Sequence, residues 1–189
     1  MAKEIIAFDF DDVVCDITRP FLEYNRKFYG IDLSFEVCTS YDLYGELGLT
    51  YEEELERWDE FFREGSFCYV APEDDIISVL NELKKKFRLV IMSNRLKLWQ
   101  FQAINWIEKY VPNIFDEILF TDSEEYSGKN KAQICREKNI SALVEDSDKN
   151  INYCLAEGVR VIRFVKPWNT DNPDVESVRS FSELLDLFL

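Results

Sequence analysis

The chain contains no histidine in its 189 residues. That absence excludes a Ser-His-Asp triad, a Cys-His dyad, His-ligated zinc and phosphohistidine chemistry together. Positive charge is scarce too: 22 Lys and Arg stand against 37 Asp and Glu, a formal net charge of −15. Such a chain is a poor match to a nucleic-acid polymer, whose phosphates need a basic surface. No apolar run is long enough to span a bilayer. The opening MAKEIIAFDFDD meets carboxylates too soon for a signal peptide, so no membrane association and a cytoplasmic location are expected. The five cysteines, Cys15, Cys38, Cys68, Cys135 and Cys154, are scattered and show no CxxC spacing. They read as buried free thiols in a reducing compartment. What remains for chemistry is carboxylate, Lys, Arg, Ser/Thr and a bound metal.

What is present is ample core material. Apolar residues make up 47% and aromatic residues 15%, which rules out disorder for most of the chain. Apolar runs at 5–8, 89–92, 117–120, 142–144 and 159–164 read as buried strands. Between them lie amphipathic segments. One is expected to open at Pro72 and carries Ile76, Val79, Leu80, Leu83 and Phe87 at helical spacing. Another carries Trp99, Ala103, Trp106, Ile107 and Tyr110 and stops before Pro112. Two more are expected at about 131–138 and 150–157, the second ended by Gly158. Alternating strand and helix imply an α/β fold with a central parallel sheet flanked by helices. Residues 17–70 break the alternation. Helical segments at 19–29 and 51–64 suggest a separate small helical cap inserted after strand one, leaving 1–16 and 71–189 as the core.

Four polar clusters fall at strand ends or helix starts. Asp9-Phe10-Asp11-Asp12 follows strand one; alternation puts Asp9 and Asp11 on one side and Phe10 on the other. Two neighbouring carboxylates repel and call for a cation. Ser93-Asn94-Arg95 follows strand two, where a hydroxyl and backbone N–H groups suit a phosphoryl oxygen; an ordinary helix N-cap accounts for the same residues. Gly128-Lys129-Asn130-Lys131 precedes a helix, and either lysine is placed to meet phosphate or to sit in solvent. Glu145-Asp146 ends strand four, with Asp148 two residues on; burying that pair needs a metal or a proton. Ligands of open α/β sheets bind beyond the carboxyl ends of the strands, which is where these clusters gather.

In that order (carboxylate pair, hydroxyl, lysine, carboxylate pair) the sequence resembles the haloacid dehalogenase superfamily of phosphohydrolases over its whole length. Asp9-x-Asp11-x-Val13 resembles the first motif, Ser93 the second, Lys131 or Lys129 the third and Glu145-Asp146 the fourth. The resemblance implies a Rossmann-like core with strand one at its centre. It implies that Asp9 attacks phosphorus and that Asp11 handles the leaving-group proton. It implies Mg²⁺ on Asp9, the Asp11 carbonyl and Asp146, with Glu145 behind a water or in support. Ser93, Asn94 and a lysine would hold the phosphoryl oxygens. Lys131 is preferred over Lys129 because it reads directly into a helix.

A narrower resemblance is to the 5′(3′)-deoxyribonucleotidases. It rests on residues 8–16, the small insert, the short step from lysine to Glu145-Asp146, and Pro167-Trp168-Asn169 after the fifth strand. Ser93-Asn94-Arg95 departs from the threonine-containing motif of that group while keeping a hydroxyl. The expected partner is therefore a nucleotide or another small phosphorylated metabolite. Aromatics of the insert (Phe21, Tyr24, Phe28, Tyr29, Tyr41, Tyr44, Trp58, Phe61, Phe62, Phe67 and Tyr69) either stack on a base or pack its helices together. A sugar-phosphate phosphatase, a phosphomutase, a non-catalytic relative that kept the fold and an acidic module for a basic partner are the competing readings.

Overall fold

The computed structural model describes residues 3–65, 70–72 and 74–189. Six strands form one wholly parallel sheet: β1 (Ile5–Phe8), β2 (Arg88–Ser93), β3 (Glu117–Phe120), β4 (Ile140–Glu145), β5 (Val161–Phe164) and β6 (Glu176–Val178). Their order across the sheet is β3-β2-β1-β4-β5-β6. The chain runs outward from β1 through β2 to β3, then returns to the other flank of β1 for β4 to β6. The order therefore reverses between β1 and β4, and a crevice opens at that switch point beyond the strand ends.

The first strand shows why this core is stable. Ile6 and Phe8 face one side of the sheet and Ala7 the other, and all three are fully buried. On the Phe8 side lie α3 (Asp74–Lys86), α4 (Gln100–Tyr110) and α7 (Phe181–Phe188), with Phe8 stacked on Phe181 at 6.2 Å. On the Ala7 side lie α5 (Lys131–Glu137) and α6 (Asp148–Ala156), packed through Ala132, Cys135, Ile151 and Cys154. Parallel strands covered on both faces need continuous apolar runs, which is why β1, β2 and β4 were readable.

Between β1 and α3 the chain inserts α1 (Thr18–Tyr29), a 3₁₀ turn at Phe35–Val37 and α2 (Tyr51–Arg63). The Phe21 ring stacks on Trp58 at 3.5 Å and meets Phe61 edge-on at 5.8 Å. Each such buried ring contributes about 1.5–3 kcal/mol. Thr50 caps α2 in a reciprocal box with Glu53, its hydroxyl accepting from the Glu53 N–H at 3.2 Å. At the entrance to the insert Asp12 takes a left-handed φ of 58°. Its carboxylate holds that turn by accepting from the N–H groups of Ile17 (3.1 Å) and Thr18 (3.0 Å) and from the Thr18 hydroxyl (2.5 Å).

Several expectations shift. Pro72 lies in coil and α3 begins at Asp74. Helix α6 starts at Asp148, two residues early, because the chain turns at Ser147 directly after β4. Strand five begins at Val161 rather than Val159. Strand β6 and helix α7 were not anticipated: Glu-Ser-Val is too short to show a period. Cys15, Cys38, Cys135 and Cys154 are buried free thiols, as expected. Cys68, Phe67 and Tyr69 lie outside the described residues.

Candidate active site

The crevice at the switch point is a cavity of about 560 Å³, within the roughly 300–1,000 Å³ of ligand pockets. Its floor comes from strand ends. β1 stops at Phe8, but the ladder continues one bond further, with the Asp9 N–H donating to Val144 O at 2.8 Å. That bond fixes Asp9 beside the end of β4, where Glu145 and Asp146 emerge. Phe10 turns away, fully buried and edge-on to Trp106 at 5.4 Å, while Asp9 and Asp11 both line the cavity. The alternation read from the sequence holds.

Lys131 is the centre of this floor. It is the first residue of α5, set by Asn130, whose side chain accepts from the Gln133 N–H at 3.0 Å while Gln133 answers to the Asn130 N–H at 3.0 Å. From that position its ammonium donates to Asp9 Oδ1 at 2.6 Å and Glu145 Oε2 at 2.7 Å. Burial lowers the lysine's proton affinity, but the two carboxylates outweigh it and the ammonium form is held firmly. Lys129 instead points to Glu137 at 2.8 Å and does not line the cavity. The structure brings one lysine to the carboxylates, and it is Lys131.

Negative charge is in excess here. Carboxylate oxygens of Asp9, Glu145 and Asp146 lie within 4.8 Å of one another, and all three residues are buried. Burial, then the Glu145 charge, raise the Asp9 carboxyl to about 7 against the opposing pull of Lys131. Burial, then Glu145 and Asp9, hold Asp146 well above the usual carboxylate range. Such a cluster is the donor set of a hard divalent cation, which takes oxygen ligands. The oxygens are not equivalent. Glu145 Oε2 takes Lys131 and Oε1 accepts the Ser147 N–H at 3.0 Å. Asp146 Oδ2 accepts the Trp168 indole N–H at 3.1 Å, whereas Asp146 Oδ1 is buried with no hydrogen-bond partner. A buried carboxylate oxygen without a partner costs free energy unless a proton or a cation meets it, and beside two further buried carboxylates these residues fit a metal.

The second cation was only touched on in the sequence. Arg95 is buried in the cavity wall and forms a two-pronged ion pair with Asp11, its Nε donating to Oδ2 at 3.3 Å and its Nη2 to Oδ1. Its guanidinium also lies 5.1 Å from the Phe10 ring centre and 4.8 Å from that of Phe62 in α2. Ser93 ends β2 fully buried, its hydroxyl accepting the Arg95 N–H at 3.1 Å, and it does not line the cavity. Asn94 does, bonded to Thr121 Oγ1 at 2.9 Å and Asn150 Oδ1 at 3.3 Å. Asp148 is bound by Asn169 and Thr170, away from the carboxylate cluster.

Above the floor the walls are aromatic. Tyr41, Trp58 and Phe62 of the insert line the cavity together with Trp99 and Trp168 of the core, Phe62 meeting Trp99 at 5.3 Å and Tyr41 meeting Trp168 at 6.0 Å. Phe21, Phe61 and Tyr24 instead pack the insert's own helices. Trp58 and Phe62 do both, lining the cavity while Trp58 stacks on Phe21 and Phe62 packs against Phe61. Trp99 and Trp168 were missed as wall residues because each sits in a stretch that reads as core or turn. The Asn130-x-x-Gln133 box was a legible sign that α5 begins at Lys131.

Comparisons with known proteins agree with this geometry. A family model described as 5′ nucleotidase, deoxy (pyrimidine), cytosolic type C protein matches residues 3–189. A provisionally named nucleotidase of Halalkalibacterium halodurans is 27% identical over 163 residues, 85% of this chain and 79% of its own length. A haloacid dehalogenase-like family hydrolase from Streptococcus pneumoniae superposes with a TM-score of 0.67 at 17% identity, covering 99% of each chain. YfnB of Bacillus subtilis, described as a HAD-hydrolase candidate bound to magnesium, gives a TM-score of 0.64 at 15% identity over 100% of this chain and 99% of its own.

Proposed function

Because the chain belongs to the family of cytosolic type C deoxy (pyrimidine) 5′-nucleotidases, hydrolases of the haloacid dehalogenase type, we propose that it removes phosphate from nucleoside monophosphates through an aspartyl-phosphate intermediate. The observation that carries the reading is Lys131 bridging Asp9 and Glu145 beside the unpaired buried oxygen of Asp146. Asp9, Asp146 and the Asp11 backbone carbonyl would hold Mg²⁺, with Glu145 supporting. When bound, the ion neutralises the phosphoryl oxygens and polarises phosphorus toward attack.

The chain's own residues do the rest. Asp9 supplies the nucleophilic oxygen: it bonds to phosphorus as the ester oxygen leaves, and water later splits the acyl phosphate. Lys131 keeps the Asp9 carboxylate aimed and offers its charge to the transferring group. Asp11 gives a proton to the departing ester oxygen and takes one from the incoming water. Arg95 orients Asp11, and Asn94 reaches toward the phosphoryl oxygens. Ser93, whose hydroxyl accepts the Arg95 N–H, keeps its own O–H to donate to a phosphoryl oxygen. Residues 17–70 act as a cap whose Trp58 and Phe62 line the cavity and exclude water from it.

The test is phosphate release from a panel of nucleoside monophosphates, sugar phosphates and p-nitrophenyl phosphate, with Mg²⁺ or EDTA, for the native chain and D9N. Metal-dependent release that D9N loses, fastest with a nucleotide, supports the proposal. Fastest release from a sugar phosphate moves the substrate class. No release from any of them by the folded protein overturns the nucleotidase reading.

A further inference from the structure

Asp146 is held from outside the cluster in a way the proposed chemistry does not use. Its Oδ2 accepts the Trp168 indole N–H at 3.1 Å, and its backbone carbonyl accepts Asn169 Nδ2 at 2.5 Å. Asn169 is itself fixed, its Oδ1 accepting the Lys166 N–H at 2.7 Å. Thr170 adds two bonds to Asp148, both at 2.7 Å. The segment after β5 thus clamps the turn that carries Asp146. The side chain of Trp168 is almost fully buried, and its ring does a second thing. It meets the Phe35 ring at 5.5 Å and the Tyr41 ring at 6.0 Å, both at 76°, and both of those rings belong to the insert.

We propose that Trp168 is a positioning residue for the metal. Its indole N–H occupies Oδ2 of Asp146, so that Oδ1 is the oxygen presented to the cation, and its ring ties that choice to the insert. The physical argument is one of allocation. A carboxylate in a buried site can rotate and offer either oxygen or both. A single neutral donor fixes the plane and leaves the other oxygen, here the one without a protein partner. Donors behind metal ligands act in this way, and their loss typically weakens metal affinity by about 10–100-fold. The inference rests on the metal reading of the Asp9–Asp146 pair.

The experiment is calorimetric titration with MgCl₂ of the full chain, W168F, D146N and W168F/D146N. Alongside it, the indole ¹H–¹⁵N resonances of the native protein are followed through the same titration. Phe keeps the ring against Phe35 and Tyr41 and removes the donor. The expected result is a Kd raised about tenfold or more in W168F, with no further loss when the change is made in D146N. The Trp168 indole resonance should move with Mg²⁺ occupancy. W168F with the native Kd, or a Trp168 resonance that stays still while Mg²⁺ binds, overturns the inference and leaves the metal reading standing. Native protein that takes up no Mg²⁺, or D146N that binds as well as native, overturns the metal reading and the inference with it. Should W168F fail to fold, the indole resonance of the native protein decides alone.

Discussion

Two buried cations, Lys131 and Arg95, stand at the carboxyl edge of the sheet, and each holds a carboxylate that follows β1. Lys131 sits among groups from the core alone: the end of β1, the end of β4 and the capped start of α5. Arg95 sits on a loop after β2, and its guanidinium lies near one ring from the core, Phe10, and one from the insert, Phe62. A point charge on a rigid frame suits a group that must stay put while phosphorus is transferred. A planar cation against an insert helix is placed to sense where that helix lies. Under the proposed function, the difference separates chemistry, built into the sheet, from substrate recognition, shared with the insert.

The largest test of this division is at the frame itself. D9N should lower kcat by on the order of 10⁴-fold or more while leaving the fold intact, read by single-turnover phosphate release and circular dichroism. K131M should be nearly as harmful and should also destabilise. Removing the ammonium leaves Asp9 and Glu145 facing each other unpaired, at a cost of about 3–5 kcal/mol in urea unfolding. A K131M protein as stable as native would break the comparison at its stronger side.

R95M comes next. It leaves the Lys131 frame whole and loosens Asp11, so kcat should fall about 100-fold, the scale of a small misplacement, with a stability loss smaller than that of K131M. An R95M variant that loses as much activity as D9N would show that the two cations share one task. Removing the wall by W58A or F62A should act on KM, raising it about tenfold for a nucleotide and less for p-nitrophenyl phosphate. An equal rise for both would deny the insert a role in reading the base.

The smallest effect is on stability against pH. Burial first, with Glu145 adding, lifts Asp9 to about 7, and burial lifts Asp12 to about 6. Both carboxyls thus bind protons more tightly folded than unfolded, where they titrate near 3.8. The metal-free protein should therefore lose stability as pH rises from about 4 through about 7, and no more from these groups above that. Mg²⁺, which replaces the proton among the carboxylates, should raise Tm more at pH 8 than at pH 5. Thermal melts in EDTA that climb between pH 5 and pH 7 would contradict this.

The strands and the four polar clusters were legible because each is a local pattern: apolar runs bounded by carboxylates, a hydroxyl or a lysine. Asp9, Lys131, Glu145 and Asp146 meet, as the resemblance implied with Lys131 preferred, since all four lie at or next to the ends of elements that were read to within two residues. What failed was non-local or very short. Three residues of β6 show no period, and nothing near Trp168 announces a bond to Asp146.

By itself the sequence excluded histidine chemistry and set carboxylates, a hydroxyl and lysines at strand ends and helix starts; the resemblance of that ordered set to the haloacid dehalogenase-type phosphohydrolases is what implied phosphoryl transfer. The sequence also determined the α/β core, whose periodicities are carried within single elements. Only the tertiary structure brought Lys131 rather than Lys129 to the carboxylates, paired Arg95 with Asp11, set Tyr41, Trp58 and Phe62 along the cavity, and left one oxygen of Asp146 bare. Each of those outcomes depends on which residues of distant segments come within about 3–6 Å, and that distance is set by how helices dock on the sheet.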